Sequence, residues 1–350
     1  MKAATAAATA TATGTATPTA TAVTTATATA TAPGRVLVMG AGSVGCYIGG
    51  CLQAAGVGVD LVGRPRTLDA LHTHGLRTTD LDGGHRHIPA AALRLHRQVA
   101  TLTAPPALVL LCVKSRATAE AARELAAHLP AGTPVLSLQN GLHNAAQAMA
   151  AAPGLRVLPG MVPFNIAELA PGHFHRGTSG SLAAQADPAL LPWQAMFQAA
   201  ALPLDLHADL APVQWGKLLL NLNNPVNALS GLPLRAQLLD ARHRRQFAAL
   251  VSEALGVLAT AGIRPARLTP LPWPLLVRVL RCPTPLFRVI AARMLRIDPL
   301  ARSSMADDLA LGRPTEIQAL CGEIVRLARS VGRNAPLNAD MVARIEALAR

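Results

Sequence analysis

The feature that most constrains this chain is a glycine cluster set directly behind a short apolar run. Residues 35–39 read Arg-Val-Leu-Val-Met, Gly40-Ala-Gly42-Ser43-Val44-Gly45 follows, and helical spacing then continues through Ala55. A G-x-G-x-x-G that ends a strand and opens a helix marks a dinucleotide-binding strand–turn–helix unit. Gly40 suits the tight turn. Gly42 lets the backbone approach a pyrophosphate, and Gly45 lets helix and strand pack closely. The helix N-terminus at Ser43 and Val44 supplies positive dipole.

The pattern continues as strands and helices in alternation. Apolar runs at Val57–Val62, Leu108–Val113 and Pro134–Leu138 predict strands, and Ala117–His128 predicts a helix. That order belongs to βαβ units and a parallel sheet. After Pro203–Pro212 the spacing turns helical, over Val213–Leu222, Leu238–Ala261 and Arg302–Val331. The reading is an α/β chain with a Rossmann-type parallel-sheet domain over residues 35–207 and a mostly helical domain over 208–350. Residues 1–34 precede them as a tail in which 27 positions are Ala or Thr. Such a tail has no large side chain to bury and is expected to be disordered.

The second strand selects the cofactor. An acidic residue at its tip would hold a ribose 2′-hydroxyl. Asp60 lies mid-strand, whereas the tip reads Gly63-Arg64-Pro65-Arg66. Arginine there suits a 2′-phosphate through charge-assisted contacts, so NADPH/NADP+ is expected, with Arg64 as the main contact and Arg66 as a second.

Composition narrows the function classes. The 350 residues carry 32 Lys+Arg against 19 Asp+Glu, a formal +13. Arginine supplies nearly all of this, since Lys2, Lys114 and Lys217 are the three lysines. No nucleic-acid reading module or aromatic stacking motif accompanies the charge, so no nucleic-acid partner is expected. No apolar run reaches membrane-spanning length without Pro or charge. Five scattered cysteines with no C-x-x-C pair read as reduced thiols of a cytoplasmic protein. His85-x-His87 and His173-x-His175 lack further ligands, and no metal site is expected. The Arg-rich apolar segment Thr269–Leu300, broken by five prolines, is expected to pack on the helical domain or at a subunit interface, with no membrane contact.

Polar residues stand where an open α/β sheet binds ligands. Lys114 and Asn140 each end a predicted strand. Trp215-Gly-Lys217-Leu-Leu-Leu-Asn221 sets Lys217 and Asn221 on one helix face, with Asn224 a turn further on. Ser304 and Glu316 are twelve apart, and on one continuous helix both would border one groove. A ketone reduction needs a cation that stabilises charge on oxygen and delivers a proton, and a buried Lys217 can do both. Glu316 would orient Lys217 or bind a substrate hydroxyl.

The motifs GAGSVG, VK at 113–114, QNG at 139–141, WxKLLxN at 215–221 and SSMxxDLxxGRxTE at 303–316 together resemble the ketopantoate reductase family, over about residues 35–345. The resemblance implies NADPH-dependent reduction of 2-dehydropantoate to (R)-pantoate, in a monomer or homodimer. It implies Lys217 as proton donor and Glu316 as the active-site glutamate. Ser304, Asn221 and Asn224 would bind substrate, and Lys114 and Asn140 would line the cofactor–substrate junction. Two departures stand out. Pro225 occupies the position of the usual second asparagine, so Asn224 matches across a one-residue gap, with Asn223 and Asn227 as alternatives. Ala301 replaces an asparagine three positions before the second serine. Ala301 and the Thr269–Leu300 segment, longer than the family's usual connection, motivate an alternative, reduction of another branched 2-oxo acid; a non-catalytic NADPH sensor is a separate alternative.

Overall fold

The computed structural model describes residues 33–292, 294–299 and 301–348. The expected tail, apart from Pro33 and Gly34, lies outside the described residues. The chain begins β1 (Val36–Met39), α1 (Ser43–Ala54), β2 (Val59–Val62), α2 (Pro65–His74), β3 (Leu76–Asp80), β4 (His85–Ile88) and β5 (Arg94–His96). It continues β6 (Leu108–Leu111), α3 (Thr118–His128), β7 (Pro134–Ser137), α4 (Asn144–Ala151) and β8 (Arg156–Met161). Then come β9 (Ile166–Ala170), β10 (His173–Arg176), β11 (Leu182–Gln185), α5 (Gln194–Ala199) and β12 (Leu204–His207).

The main sheet runs β12-β11-β8-β7-β6-β1-β2-β5. Its neighbours are parallel except for the antiparallel β8–β11 pair. All four residues of β1 are buried, because both faces of the sheet are covered. The two-residue period divides them. Val36 and Val38 face the core that holds α1, and Leu37 and Met39 face the core that holds α3 and α4.

A second sheet, β4-β3-β10-β9, packs beside α1. The sequence did not announce it, because its strands are short and half polar. The paired histidines fall on this sheet. The Thr79 hydroxyl lies 2.9 Å from both His173 Nε2 and His175 Nδ1, and His85 and His87 are exposed. No group of three metal ligands occurs among the described residues.

The helical half comprises α6 (Ala211–Asn221), α7 (Asn223–Ser230), α8 (Leu234–Leu239), α9 (Ala241–Thr260), α10 (Trp273–Arg281), α11 (Thr284–Ile290), α12 (Ser304–Ala310), α13 (Cys321–Ser330) and α14 (Pro336–Leu348). Two expectations need correction. The helix expected over Leu238–Ala261 is split at Asp240, whose carboxylate accepts from the Arg242 and His243 amides and starts α9 as an N-cap. The helix expected over Arg302–Val331 also breaks. Gly312 takes a left-handed φ of +61° behind α12, and Pro314 prevents renewed helix before Glu316. Ser304 and Glu316 therefore do not share a helix.

The proline-rich segment packs on the helical half as α10 and α11. Trp273, Leu276, Leu280 and Phe287 are buried, each stabilising by roughly 1.5–3 kcal/mol. Arg244 of α9 secures the corner between these helices. It is fully buried, donates to the carbonyls of Leu238, Leu280 and Cys282 and to the Thr284 hydroxyl, and stacks 4.3 Å from the Phe287 ring centre. None of the five cysteines forms a disulfide. No helix among the described residues is long and apolar enough to cross a membrane.

Candidate active site

The glycine motif forms a cradle. Gly40 adopts φ +111°, and a Cβ there would meet the backbone of Cys112 and Val113 at 2.7–2.8 Å. A Cβ on Gly45 would strike the Gly40 carbonyl and come within 2.7 Å of Val38 Cγ1. Gly42 has no atom within 4 Å of its would-be Cβ, so the turn is open to an approaching group. Helix α1 has no side-chain cap, leaving the amides of Ser43, Val44 and Gly45 facing that opening. A diphosphate fits this donor set.

The strand-tip chemistry favours a phosphorylated ribose. Asp60 is buried and fully engaged. Arg35 donates to it at 2.6 and 2.9 Å, and the ring of His96 lies 3.0 Å away, with Arg94 at 3.4 Å. Its carboxylate has no face left for a ribose hydroxyl. Arg64 is exposed at the N-cap of α2 and has no ion-pair partner among the described residues. Arg66 stands 3.8 Å from Glu168.

The cleft between sheet and helices gathers the remaining groups. Asn140 and Gly141 at the β7 tip, Gly160, Met161 and Val162 at the β8 tip, and Gln214, Lys217, Leu218 and Asn221 of α6 line it. Lys217 is half-buried and donates to the Pro163 carbonyl at 2.7 Å, and burial pushes its pKa down to about 8. Asn221 donates to Asn140 Oδ1 at 3.3 Å. Asn140 Nδ2 donates to Glu316 Oε2 at 3.2 Å, and the Ser115 hydroxyl donates to Glu316 Oε1 at 3.2 Å. Glu316 thus meets Asn140 and Ser115. Among the described residues no hydrogen bond joins Glu316 to Lys217, whose ammonium meets the Pro163 carbonyl instead. The loop that ends α12 carries Glu316 toward the β7 tip.

Three neighbouring asparagines separate cleanly. Asn223 exchanges two 3.1 Å hydrogen bonds with Gln237. Asn227 bonds the Leu232 carbonyl and the Ser303 amide. The Asn224 side chain has no hydrogen-bond partner among the described residues, and its carbonyl accepts from the Ser303 hydroxyl beside Ser304. Lys114 stands at the β6 tip, where its ammonium pairs with Asp308 at 2.8 Å. Three cleft groups were missed from the sequence. Asp308 lies one turn from Ser304 on α12, and Ser115 follows Lys114 directly. Gln214 lies three residues before Lys217, on the same face of α6, and the helical spacing alone would have found it.

Comparison with known proteins follows the same outline. The family model for ketopantoate reductase PanE/ApbA matches residues 36–188, and its C-terminal counterpart matches residues 209–349. The chain is 31% identical over 303 residues to 2-dehydropantoate 2-reductase of Halobacterium salinarum, covering 84% of this chain and 92% of that one. It is 26% identical to the enzyme of the same name from Pyrococcus horikoshii, over 89% and 97% of the two chains. A crystal structure of a PanE/ApbA family ketopantoate reductase from Ralstonia eutropha superposes with a TM-score of 0.75 at 29% identity, covering 90% of this chain and 98% of that one. D-mandelate dehydrogenase in complex with NADH and anilino(oxo)acetate shares the fold, with a TM-score of 0.74 at 19% identity.

Proposed function

The chain belongs to the ketopantoate reductase PanE/ApbA family, and from that premise we propose that it reduces 2-dehydropantoate to (R)-pantoate with NADPH, in the biosynthesis of pantothenate and coenzyme A. Residues 35–207 would carry the cofactor, and residues 208–350 would supply most of the substrate and proton-transfer groups. The observation that carries this reading is Lys217. It is a half-buried cation beside the strand tips, and among the described residues its ammonium has one acceptor, the Pro163 carbonyl.

The cradle of Gly40, Gly42, Ser43, Val44 and Gly45 would hold the diphosphate, and Arg64 the 2′-phosphate. NADPH, when bound, supplies the hydride for the ketone carbon. The remaining chemistry belongs to the chain. An ammonium has three N–H donors. The Pro163 carbonyl takes one and fixes the direction of the others, so Lys217 can donate to the ketone oxygen and pass it a proton as charge develops there. A lysine pKa near 8 keeps the acid form abundant at neutral pH and makes its proton easier to give than that of a solvated lysine. Asn221, Asn224 and Ser304 would hold the substrate carboxylate. Glu316 holds the Asn140 carboxamide so that Asn140 meets Asn221 across the cleft. Lys114, paired with Asp308, bridges the sheet and helical halves at the edge of the same cleft.

The test is the absorbance change of NADPH with purified protein, 2-dehydropantoate and a panel of other 2-oxo acids. Preferential turnover of 2-dehydropantoate supports the proposal. Preference for another branched 2-oxo acid would retain the mechanism and replace the substrate. NADPH binding with no turnover of any acid would leave the sensor reading in its place.

A further inference from the structure

We propose that Gln214 is a specificity-determining residue of this cleft, reading a hydroxyl on the far carbon of the substrate's side chain. The proposal rests on the reductase reading above and deepens it.

Helix α6 presents Gln214, Lys217 and Asn221 at i, i+3 and i+7, and all three line one cleft. Residues three or four apart on a helix have Cβ atoms about 5–6 Å from one another. Lys217 therefore has a carboxamide one turn before it and another one turn after it. A 2-oxo acid whose ketone oxygen meets Lys217 sends two arms away from that point, its carboxylate and its side chain. On the Asn221 side the cleft offers the Asn221 and Asn140 carboxamides, joined at 3.3 Å. Met161, Val162 and Leu218 line the same cleft, and their apolar atoms suit a branched alkyl body.

Gln139 also lines the cleft, but its carboxamide is already taken. It donates to the Val113 carbonyl and the Thr118 hydroxyl and accepts from Ser137. The half-buried Gln214 carboxamide has no hydrogen-bond partner among the described residues. A half-dry amide discriminates by what it loses: a hydroxylated side chain satisfies it, and an alkyl isostere leaves it unpaired. The branched body and the polar tip together select a 2-oxo acid with quaternary or branched C3 and a hydroxyl on C4.

The experiment compares 2-dehydropantoate with 3,3-dimethyl-2-oxobutanoate, which has a methyl group in place of the hydroxymethyl. We expect the wild type to favour the hydroxylated acid in kcat/KM. In Gln214→Leu that preference should shrink about 3- to 10-fold, the effect of one neutral hydrogen bond, through loss on the hydroxylated acid alone. Gln214→Met, closer in shape, should behave alike, and NADPH affinity measured by fluorescence should not move in either variant. An unchanged ratio in both variants overturns the inference, and so does equal loss on both acids. Failure of the wild type to reduce either acid while it binds NADPH overturns 2-dehydropantoate as the substrate and takes the inference with it.

Discussion

The cleft face of α6 and the corner between α9 and α11 each take a cation out of water, and they treat it in opposite ways. At the corner, Arg244 is fully buried, and its guanidinium is spent on three carbonyls, one hydroxyl and the face of Phe287. In the cleft, Lys217 is half-buried and meets one carbonyl among the described residues, and burial lowers its pKa to about 8. A satisfied cation stabilises structure. A cation left short of partners keeps its proton loosely and its donors free, which is what proton transfer requires.

The sharpest way to break this contrast is to remove each cation in turn. Lys217→Ala should lower turnover about a hundred- to ten-thousand-fold while leaving NADPH affinity nearly intact, measured by steady-state kinetics and by fluorescence titration. If turnover survives, the proton donor lies elsewhere. Arg244→Leu should do the reverse. It leaves buried carbonyls without donors and should destabilise by about 3 kcal/mol in denaturant unfolding, with kcat of the folded fraction unchanged. Arg64→Asp addresses the sheet half. It should raise KM for NADPH about tenfold or more with little change in that for NADH; unaltered preference would remove Arg64 from the site.

The smallest effect concerns stability. The unfolded chain keeps the Lys217 proton up to the ordinary value of 10.5, and the folded chain releases it near 8. The unfolded state therefore binds more protons between these values, and this group's contribution to stability rises with pH across that window. At neutral pH the charged form is disfavoured in the fold. Lys217→Met should stabilise by about 1 kcal/mol there, and the gain should shrink toward pH 10.5. A lysine as well satisfied as Arg244 would show a loss on substitution instead.

Legibility in the sequence followed the range of the physics involved. Gly40, Gly42 and Gly45 were readable because backbone geometry within six residues demands them. The position of Arg64 just past β2 was likewise legible, since a strand end is visible in an apolar run. The second sheet was not legible, because β3 and β10 are short and carry alternating polar residues. Helix breaks at Asp240 and Gly312 were misread as continuous helix, since apolar spacing resumes on either side of each. The geometry around Glu316 depends on that break, so its contacts with Asn140 and Ser115 could not follow from spacing. Sorting Asn224 from Asn223 and Asn227 likewise required knowing that Gln237, Leu232 and Ser303 lie beside them.

The most direct test of Lys217 as the proton donor is the pH profile of kcat/KM for 2-dehydropantoate under saturating NADPH. Reduction uses the acid form. The value should hold level below about pH 8 and fall tenfold per pH unit above it. A profile that stays flat to pH 10 would contradict the assignment.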